Sequence, residues 1–466
     1  MTPRLFIGLA SLAASFAFNF ASQANDRPNV LFIIADDLNH YGFSHEQAGI
    51  QTPHFDTFRE SAVTFPNAVC NAPSCVPSRA SFLSGLYPYS TGSYLNGSDP
   101  WTKPAMDEIV SLPEIFKQAG YITWGSGKVF HTKITPERKE AAFDNEPWAG
   151  GFGPFLKEED QMGSKWWGAG AWDGPDTDFP DVVNAEKAIA FLNEVHDRPF
   201  FMVLGLWRPH TPFTAPQRFF DQYDRDTLPF PPASFQSGDL NDVPQQGIEL
   251  SRVWGERWIV SGESDKEKWR DILWGYAATT SFADETTGRV IEALDASPYA
   301  DNTIVIFVSD NGYHVGEKEH FEKSTLWSAS ARVPFAIRLP GKQNAAAVSD
   351  ATVGLIDIFP TLVDYCSLPQ PPQGTDGLSM RPALEQPSYK WDRPAITVYE
   401  VDHFSATDGS YRYIRYGDGS EELYDHSSDP HEFENLADEP RLAGIKRRFQ
   451  KWIPERWAPS LGGRQG

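Results

Sequence analysis

Three cysteines occur in the 466 residues, and Cys75 has neighbours suited to chemistry. It opens the run Cys75-Val76-Pro77-Ser78-Arg79, which continues to Leu83-Ser84-Gly85. Arg79 places a permanent cation close by; such a setting lowers a thiol's pKa and suits a group that must meet an anion. Pro73 and Pro77 predict that neither a strand nor a helix runs through the cysteine. A lone cysteine is more often a small buried apolar residue, but these neighbours reverse that preference. Three cysteines make no disulfide framework. Cys70 and Cys75 could pair only as a tight local loop that would consume the nucleophile, and Cys366, in an apolar stretch, reads as core.

Two pairs of oxygen donors follow apolar runs. Asp36 and Asp37 come directly after Asn29 to Ala35, and Asp310 with Asn311 comes after Thr303 to Val308. Adjacent carboxylates repel unless a cation joins them. All four are hard oxygen ligands, which suit Ca²⁺ or Mg²⁺ better than zinc. Two aspartates at a strand end serve equally well as helix N-caps, and the second pair tips the balance toward metal. Basic groups form the remainder. Lys128 and His131, after Gly127, point the same way if a helix begins there. His210 follows Arg208-Pro209 at the end of the run Pro199 to Leu206; a lone histidine is more often structural, but this position favours function. Lys323 lies between Gly316-Glu317 and Arg332-Val333-Pro334, while Lys318 and His320 either line the pocket or lie on the surface.

The run from Cys75 to Gly85 resembles the sulfatase signature Cys-x-Pro-Ser-Arg-x-x-x-Leu-x-Gly. The resemblance implies that Cys75 is oxidised by a formylglycine-generating enzyme to an aldehyde, formylglycine, whose hydrate is the nucleophile. It also implies that Asp36, Asp37, Asp310, Asn311 and position 75 hold a divalent cation. Asn311 leans toward calcium, with magnesium as the alternative. Arg79, Lys128 and Lys323 would hold the nucleophile or the anion, and Lys323 would also meet the leaving oxygen. His210, helped by Lys323, would protonate the departing oxygen; His131 would take the proton of the second hydroxyl as sulfate is expelled. Most of the family has one residue between this lysine and histidine; here there are two. That spacing, with Arg208-Pro209-His210-Thr211-Pro212-Phe213, is similar to the iduronate-2-sulfatase branch. Weaker echoes extend across residues 29–440, including Ser281-Phe282-Ala283-Asp284 and Asp357-Ile358-Phe359-Pro360.

The elements that must position these residues read as alternating strands and helices. Apolar runs at 29–35, 199–206 and 303–308 suit buried parallel strands, and helical patterns cover 111–119, 182–195 and 269–294. This is an α/β fold with a mostly parallel sheet, and the resemblance makes it an alkaline-phosphatase-like layered sandwich. Ligands then collect beyond the carboxyl ends of the strands. The Pro/Gly-rich stretch 369–374 reads as a linker. Strands at 396–399 and 411–416 and a helix at 445–452 form a smaller α+β unit. The expected division is a leader over 1–24, a catalytic domain over 25–368 and a C-terminal subdomain over 375–466.

Arg4, the apolar run Leu5 to Phe20 and Ser22-Gln23-Ala24 read as a secretory signal cleaved after Ala24, not a membrane anchor. A periplasmic or secreted protein with no membrane attachment after cleavage is expected. The formal charge of −23 argues against nucleic-acid binding. It also requires any anion site to be a local pocket of cations or metal. Export and branch point to a sulfated carbohydrate as substrate. Trp148, Trp166, Trp167 and Trp172 either stack on sugar faces or form loop core. The alternatives are a phosphonate monoester or phosphodiester hydrolase of the same superfamily and an inactive glycan-binding relative.

Overall fold

A computed structural model describes residues 27–43, 49–131, 133–147, 149–157, 168–234, 236–255 and 266–463. The leader and Trp148, Trp166 and Trp167 lie outside these residues. The apolar runs become strands of one six-stranded sheet: β1 (Asn29–Asp36), β2 (Val63–Thr64), β3 (Ile122–Gly127), β4 (Phe200–Pro209), β5 (Thr303–Ser309) and β6 (Phe335–Arg338). Their spatial order is β2-β6-β5-β1-β4-β3. Neighbours from β5 to β3 are parallel, and β6 runs antiparallel to both β5 and β2.

The helices that frame the site are α1 (Cys75–Ser84), α2 (Pro180–Leu192), α3 (Lys266–Asp295) and α4 (Ile358–Tyr365). Every residue of β1 is buried, and its side chains alternate between two layers. Val30, Phe32 and Ile34 pack with Phe82 and Leu83 of α1 and Phe359 of α4. Leu31, Ile33 and Ala35 pack with Ala185 and Leu192 of α2 and Val290 of α3. A sheet apolar on both faces therefore lies between two helical layers, which is the expected α/β sandwich.

Strand β3 has a sequence, Ile-Thr-Trp-Gly-Ser-Gly, that lacks an apolar run. Its glycines answer to close approach. A Cβ on Gly205 of β4 would fall 1.8 Å from the Lys128 carbonyl oxygen, and one on Gly127 would fall 1.9 Å from that of Gly205. This contact brings Lys128 to the end of β4.

A second sheet contains β7 (Ala395–Val398), β8 (Phe404–Thr407), β9 (Tyr411–Arg415) and β10 (Glu421–Asp425), antiparallel in chain order. Helix α5 (Ala443–Gln450) packs on it, with Phe449 stacked on Tyr413. The expected segments 396–399, 411–416 and 445–452 fall on β7, β9 and α5. This sheet braces the loop that leads to Cys75. Thr397 Oγ1 donates to the Cys70 carbonyl at 2.6 Å, and the Val398 N–H donates to that of Asn71 at 3.0 Å. Residues 369–374 lack regular structure, yet Gln373 Nε2 donates to the carbonyls of Ser84 and Val110. No helix among the described residues is long and apolar enough to cross a membrane.

Candidate active site

The flanking prolines do not keep a helix away from Cys75, as the sequence had suggested: the residue opens α1. Pro77 falls in the first turn, where an absent N–H has no intrahelical partner to lose. The Val76 N–H donates instead to Asn96 Oδ1 at 2.9 Å. Cys75 is fully buried. Its Sγ lies 3.4 Å from Asp36 Oδ1, 3.7 Å from Asp37 Oδ1 and 2.9 Å from Lys323 Nζ. Burial first, then Asp36, pushes the thiol pKa well above its ordinary value, and Lys128 and Lys323 do not offset this. The expected lowering by cationic neighbours is therefore reversed by burial and Asp36.

The carboxylates arrive from two adjacent strand ends. Asp36 closes β1, and Asp37 follows in the left-handed region at φ 64°, a backbone strain characteristic of functional sites. Asp310 and Asn311 follow β5. Ser309 Oγ ties the two ends together, accepting from the Leu38 N–H and donating to the Asn311 carbonyl, each at 2.8 Å. Three buried cations face three buried carboxylates. Arg79 Nε donates to Asp310 Oδ2 at 2.7 Å, Lys128 Nζ meets Asp36 Oδ2, and Lys323 Nζ meets Asp37 Oδ1 at 2.5 Å. Burial raises both Asp37 and Asp310. Lys323 and His210 outweigh it at Asp37, which ends below its usual range, whereas Asp310 stays raised despite Arg79. Burial works to lower Lys323, but Asp37 and its neighbours hold its pKa well above the ordinary lysine range.

The pairing is incomplete in a way that fits a cation. Asp37 Oδ2 and Asn311 Oδ1 are buried with no hydrogen-bond partner, although Asn311 Nδ2 donates to Asp37 Oδ1 at 2.8 Å. Buried acceptors left unpaired are costly. Ligand atoms of Asp36, Asp37, Cys75 and Asp310 all lie within 4.8 Å of one another. Such oxygen-rich donors suit a hard divalent ion. Three carboxylates against three cations leave no net charge, so an added divalent ion would leave the pocket doubly positive. That would answer the electrostatic problem of drawing an anion into a chain of charge −23.

Lys128, His131 and His210 complete the group. No helix begins at Lys128, contrary to the condition read from the sequence. The chain turns through 128–131, and His131 adopts φ 64°. His131 Nδ1 is buried without a partner, and burial, then Lys128 and Arg79, lowers the ring's pKa well below the usual value. His210 Nδ1 lies 2.5 Å from the Thr211 carbonyl, so that nitrogen carries the proton, and Nε2 lies 3.5 Å from Asp37 Oδ2. Burial also lowers His210, against the pull of Asp37. The seven residues Asp36, Asp37, Cys75, Arg79, Lys128, Asp310 and Lys323 thus interlock directly, with Asn311 and His210 bordering Asp37.

Several supporting residues escaped the sequence reading. Tyr276 Oη donates to the Asp37 carbonyl at 2.8 Å and accepts from the Asn39 N–H at 2.9 Å. Ser78 Oγ donates to the Asp310 carbonyl. Asp181 accepts from the N–H groups of Trp207 and Arg208, fixing the approach to His210. Ser78 lies inside the signature and Tyr276 at the start of the weaker echo that includes Ser281-Phe282-Ala283-Asp284, whereas Asp181 shows no local signal. Lys318 and His320 are both buried rather than superficial. Lys318 Nζ donates to Asp239 Oδ1 at 2.6 Å, and His320 Nε2 meets the Lys323 carbonyl at 3.1 Å. Trp172 is half-buried and donates from Nε1 to Asp178 at 3.0 Å.

Comparison with known proteins gives a consistent picture. A family model described as Sulfatase matches residues 28–367, and one described as N-sulphoglucosamine sulphohydrolase, C-terminal, matches 316–457. A sulfatase of Formosa agariphila is 37% identical over 459 residues, covering 92% of this chain and 87% of that protein. An ulvan-active sulfatase of the same organism is 27% identical, covering 93% and 81%. Mouse iduronate 2-sulfatase is also 27% identical, covering 79% and 74%. Among solved structures, a phosphonate monoester hydrolase of Agrobacterium radiobacter has a TM-score of 0.76 at 20% identity, covering 92% and 95%. A protein in complex with its substrate D-glucosamine-2-N,6-O-disulfate has a TM-score of 0.70 at 22% identity, covering 92% and 97%. These likenesses agree with the mostly parallel sandwich and the small antiparallel sheet.

Proposed function

Because the chain belongs to the sulfatase family, enzymes that hydrolyse sulfate esters, we propose that it is an exported enzyme that desulfates a sulfated carbohydrate, using formylglycine made from Cys75. The observation that carries this reading is the position of Cys75: buried at a helix start, among three carboxylates and three cations, with two unpaired oxygens beside it. A thiol whose pKa is pushed up is a poor thiolate nucleophile, which favours its role as a precursor over direct thiol catalysis. The ulvan-active and iduronate relatives support a polysaccharide or oligosaccharide substrate, and the Lys128–His131 spacing supports the iduronate-like branch.

Asp36, Asp37, Asp310 and Asn311 would hold calcium or magnesium. When bound, the ion supplies positive charge that polarises a sulfate oxygen and favours an ionised nucleophile. The converted side chain would supply a hydrated aldehyde as the nucleophile toward sulfur, the sugar leaving as its alcohol; loss of the second hydroxyl's proton would then let the carbon–oxygen bond break, regenerating the aldehyde and freeing sulfate. The chain's own residues do the rest. Arg79 clamps Asp310 and keeps that carboxylate in place. Lys128 and Lys323 offset negative charge growing on the nonbridging oxygens. His210, whose Nε2 is the unprotonated nitrogen, would relay a proton from Lys323, which is protonated, to the departing sugar oxygen. His131, neutral with an unpaired ring nitrogen, takes the proton from the second hydroxyl.

The leader over 1–24 supports export to the periplasm or medium, and maturation then needs a formylglycine-generating enzyme in the host. A panel of sulfated oligosaccharides assayed for free sulfate tests the substrate class. Release from at least one uronate- or hexosamine-sulfate is expected. Activity confined to phosphonate or phosphodiester substrates would overturn it.

A further inference from the structure

We propose that the crevice between the central sandwich and the antiparallel sheet is a second anion site, built on Arg332 and Arg412 for a tetrahedral oxyanion. The crevice has a volume of about 180 Å³ and is lined by Asn67, Ser328, Arg332, Thr407, Arg412 and His426. A second hollow of about 110 Å³ shares Ser328 and Arg332 and continues it toward His40 and His431. None of the residues assigned above to catalysis or metal binding lines either hollow.

The arrangement of charge argues for a ligand. Arg332 Nε donates to the Pro66 carbonyl at 2.8 Å, but its terminal amino groups have no protein partner among the described residues. The carboxylate nearby, Glu432, is already committed. Its Oε1 lies 2.8 Å from both Arg412 Nε and His426 Nε2, and its Oε2 accepts the Ser328 N–H at 2.8 Å. Arg332 therefore faces a second arginine without a counter-ion of its own. Burial lowers its pKa, and repulsion from Arg412 adds to this against the opposing pull of Tyr41 and Glu432. His40 Nδ1 is buried without a partner along the same channel. A planar guanidinium with free donors in a fixed fork matches the paired oxygens of a sulfate or phosphate group. The bound group would bridge the helical turn Ser328–Ala331 and Arg332 at its end to β9, which carries Arg412.

The site does not depend on the proposed reaction, and its test separates the two. Calorimetric titration of the full-length protein with inorganic sulfate, and with phosphate, is compared with chloride at equal ionic strength. Sulfate inhibition of turnover is measured alongside to identify binding at the catalytic centre. The wild type should show a saturable sulfate site beyond the inhibitory one, absent with chloride. Arg332→Gln should weaken that site at least tenfold and leave the inhibition constant unchanged. If that variant does not fold, Asn67→Asp provides the second arm: a carboxylate on the crevice wall pairs with Arg332 and removes the site. Retention of the extra site in a folded variant, or only inhibitory binding in the wild type, overturns the proposal. A sulfated disaccharide titrated into Cys75→Ala distinguishes the source. Binding there tenfold tighter than inorganic sulfate assigns the site to the substrate chain, and equal binding assigns it to the free anion.

Discussion

Two clusters of buried charge use similar side chains and differ in how completely they are paired. At the strand ends, Asp36, Asp37 and Asp310 meet Arg79, Lys128 and Lys323, yet Asp37 Oδ2, Asn311 Oδ1, Arg79 Nη2 and His131 Nδ1 remain without hydrogen bonds. Behind the lysine loop, Glu422 accepts from Tyr416, Tyr424 and Trp327 Nε1, and both oxygens of Glu432 are occupied. Lys318 in the same region pairs with Asp239 and the Glu432 carbonyl. A buried polar network stabilises a fold only when its members are satisfied. In the second cluster both buried glutamates and Lys318 meet that condition and tie Trp327 and Ser328 to the C-terminal sheet, while the atoms left without a hydrogen bond, Arg412 Nε and His40 Nδ1, lie on the crevice side. The first does not: its Asp37 carboxylate is left short of a partner beside Cys75, whose Sγ lies 3.4 Å from Asp36 and 3.7 Å from Asp37. Burial alone does not mark a site; burial with unpaired donors and acceptors around a potential nucleophile does.

The contrast can be broken first at Cys75. Cys75→Ala should lower turnover by roughly 10⁴-fold or more with an unchanged melting temperature, measured by sulfate release and thermal unfolding. Next come the two lysines of one loop. Lys323→Met should lower kcat by roughly 10²–10³-fold, the scale for losing one transition-state charge contact. Lys318→Met should instead destabilise the fold by about 3–5 kcal/mol, because it leaves Asp239 buried and unpaired. Chemical denaturation together with kcat of the folded fraction separates these outcomes.

A smaller effect concerns pH. Burial would raise Glu432, but Arg412, His426 and the Ser328 N–H bring it from 4.5 to about 2. Its folded pKa is depressed, so its stabilisation is present above pH 4.5 and is lost as pH falls toward 2. By linkage this amounts to ~3 kcal/mol. Glu432→Gln should flatten the stability profile in that window and lower stability at neutral pH, as followed by denaturation at stepped pH. Smallest is metal removal: chelation should reduce stability by about 2.7 kcal/mol relative to protein at one hundred times the dissociation constant. Added calcium or magnesium should restore it in the wild type but not in Asp37→Asn/Asn311→Ala. The Lys318→Met protein should keep this metal response.

Much of the site was legible because carboxylates, amide and histidine each end an apolar run: Asp36 at the end of β1, Asp310 and Asn311 after β5, His210 after β4. A parallel sheet converts that pattern into proximity. Lys128 was found by its motif and not by its strand, since β3 is too rich in glycine to read as a buried run. Its glycines are required by the backbone contact with Gly205, which is a tertiary fact. Pro77 was misread because its effect depends on where a helix starts. The thiol's pKa was misread because a nearby arginine is visible in sequence, whereas burial and Asp36, 39 residues away, are not. Lys318 could not be placed, since its partners Asp239 and Glu432 lie far along the chain; His320 has a local partner, the Lys323 carbonyl, but its burial is a tertiary fact.

The central claim is that the unpaired cluster surrounds a precursor and that the working group at position 75 is no longer a thiol. Mass spectrometry of the peptide containing Cys75, from protein with measured sulfatase turnover, tests it most directly. The account predicts the mass of the aldehyde at that residue, with the converted fraction rising in proportion to specific activity. An intact thiol throughout a sample that turns over sulfate esters would contradict it.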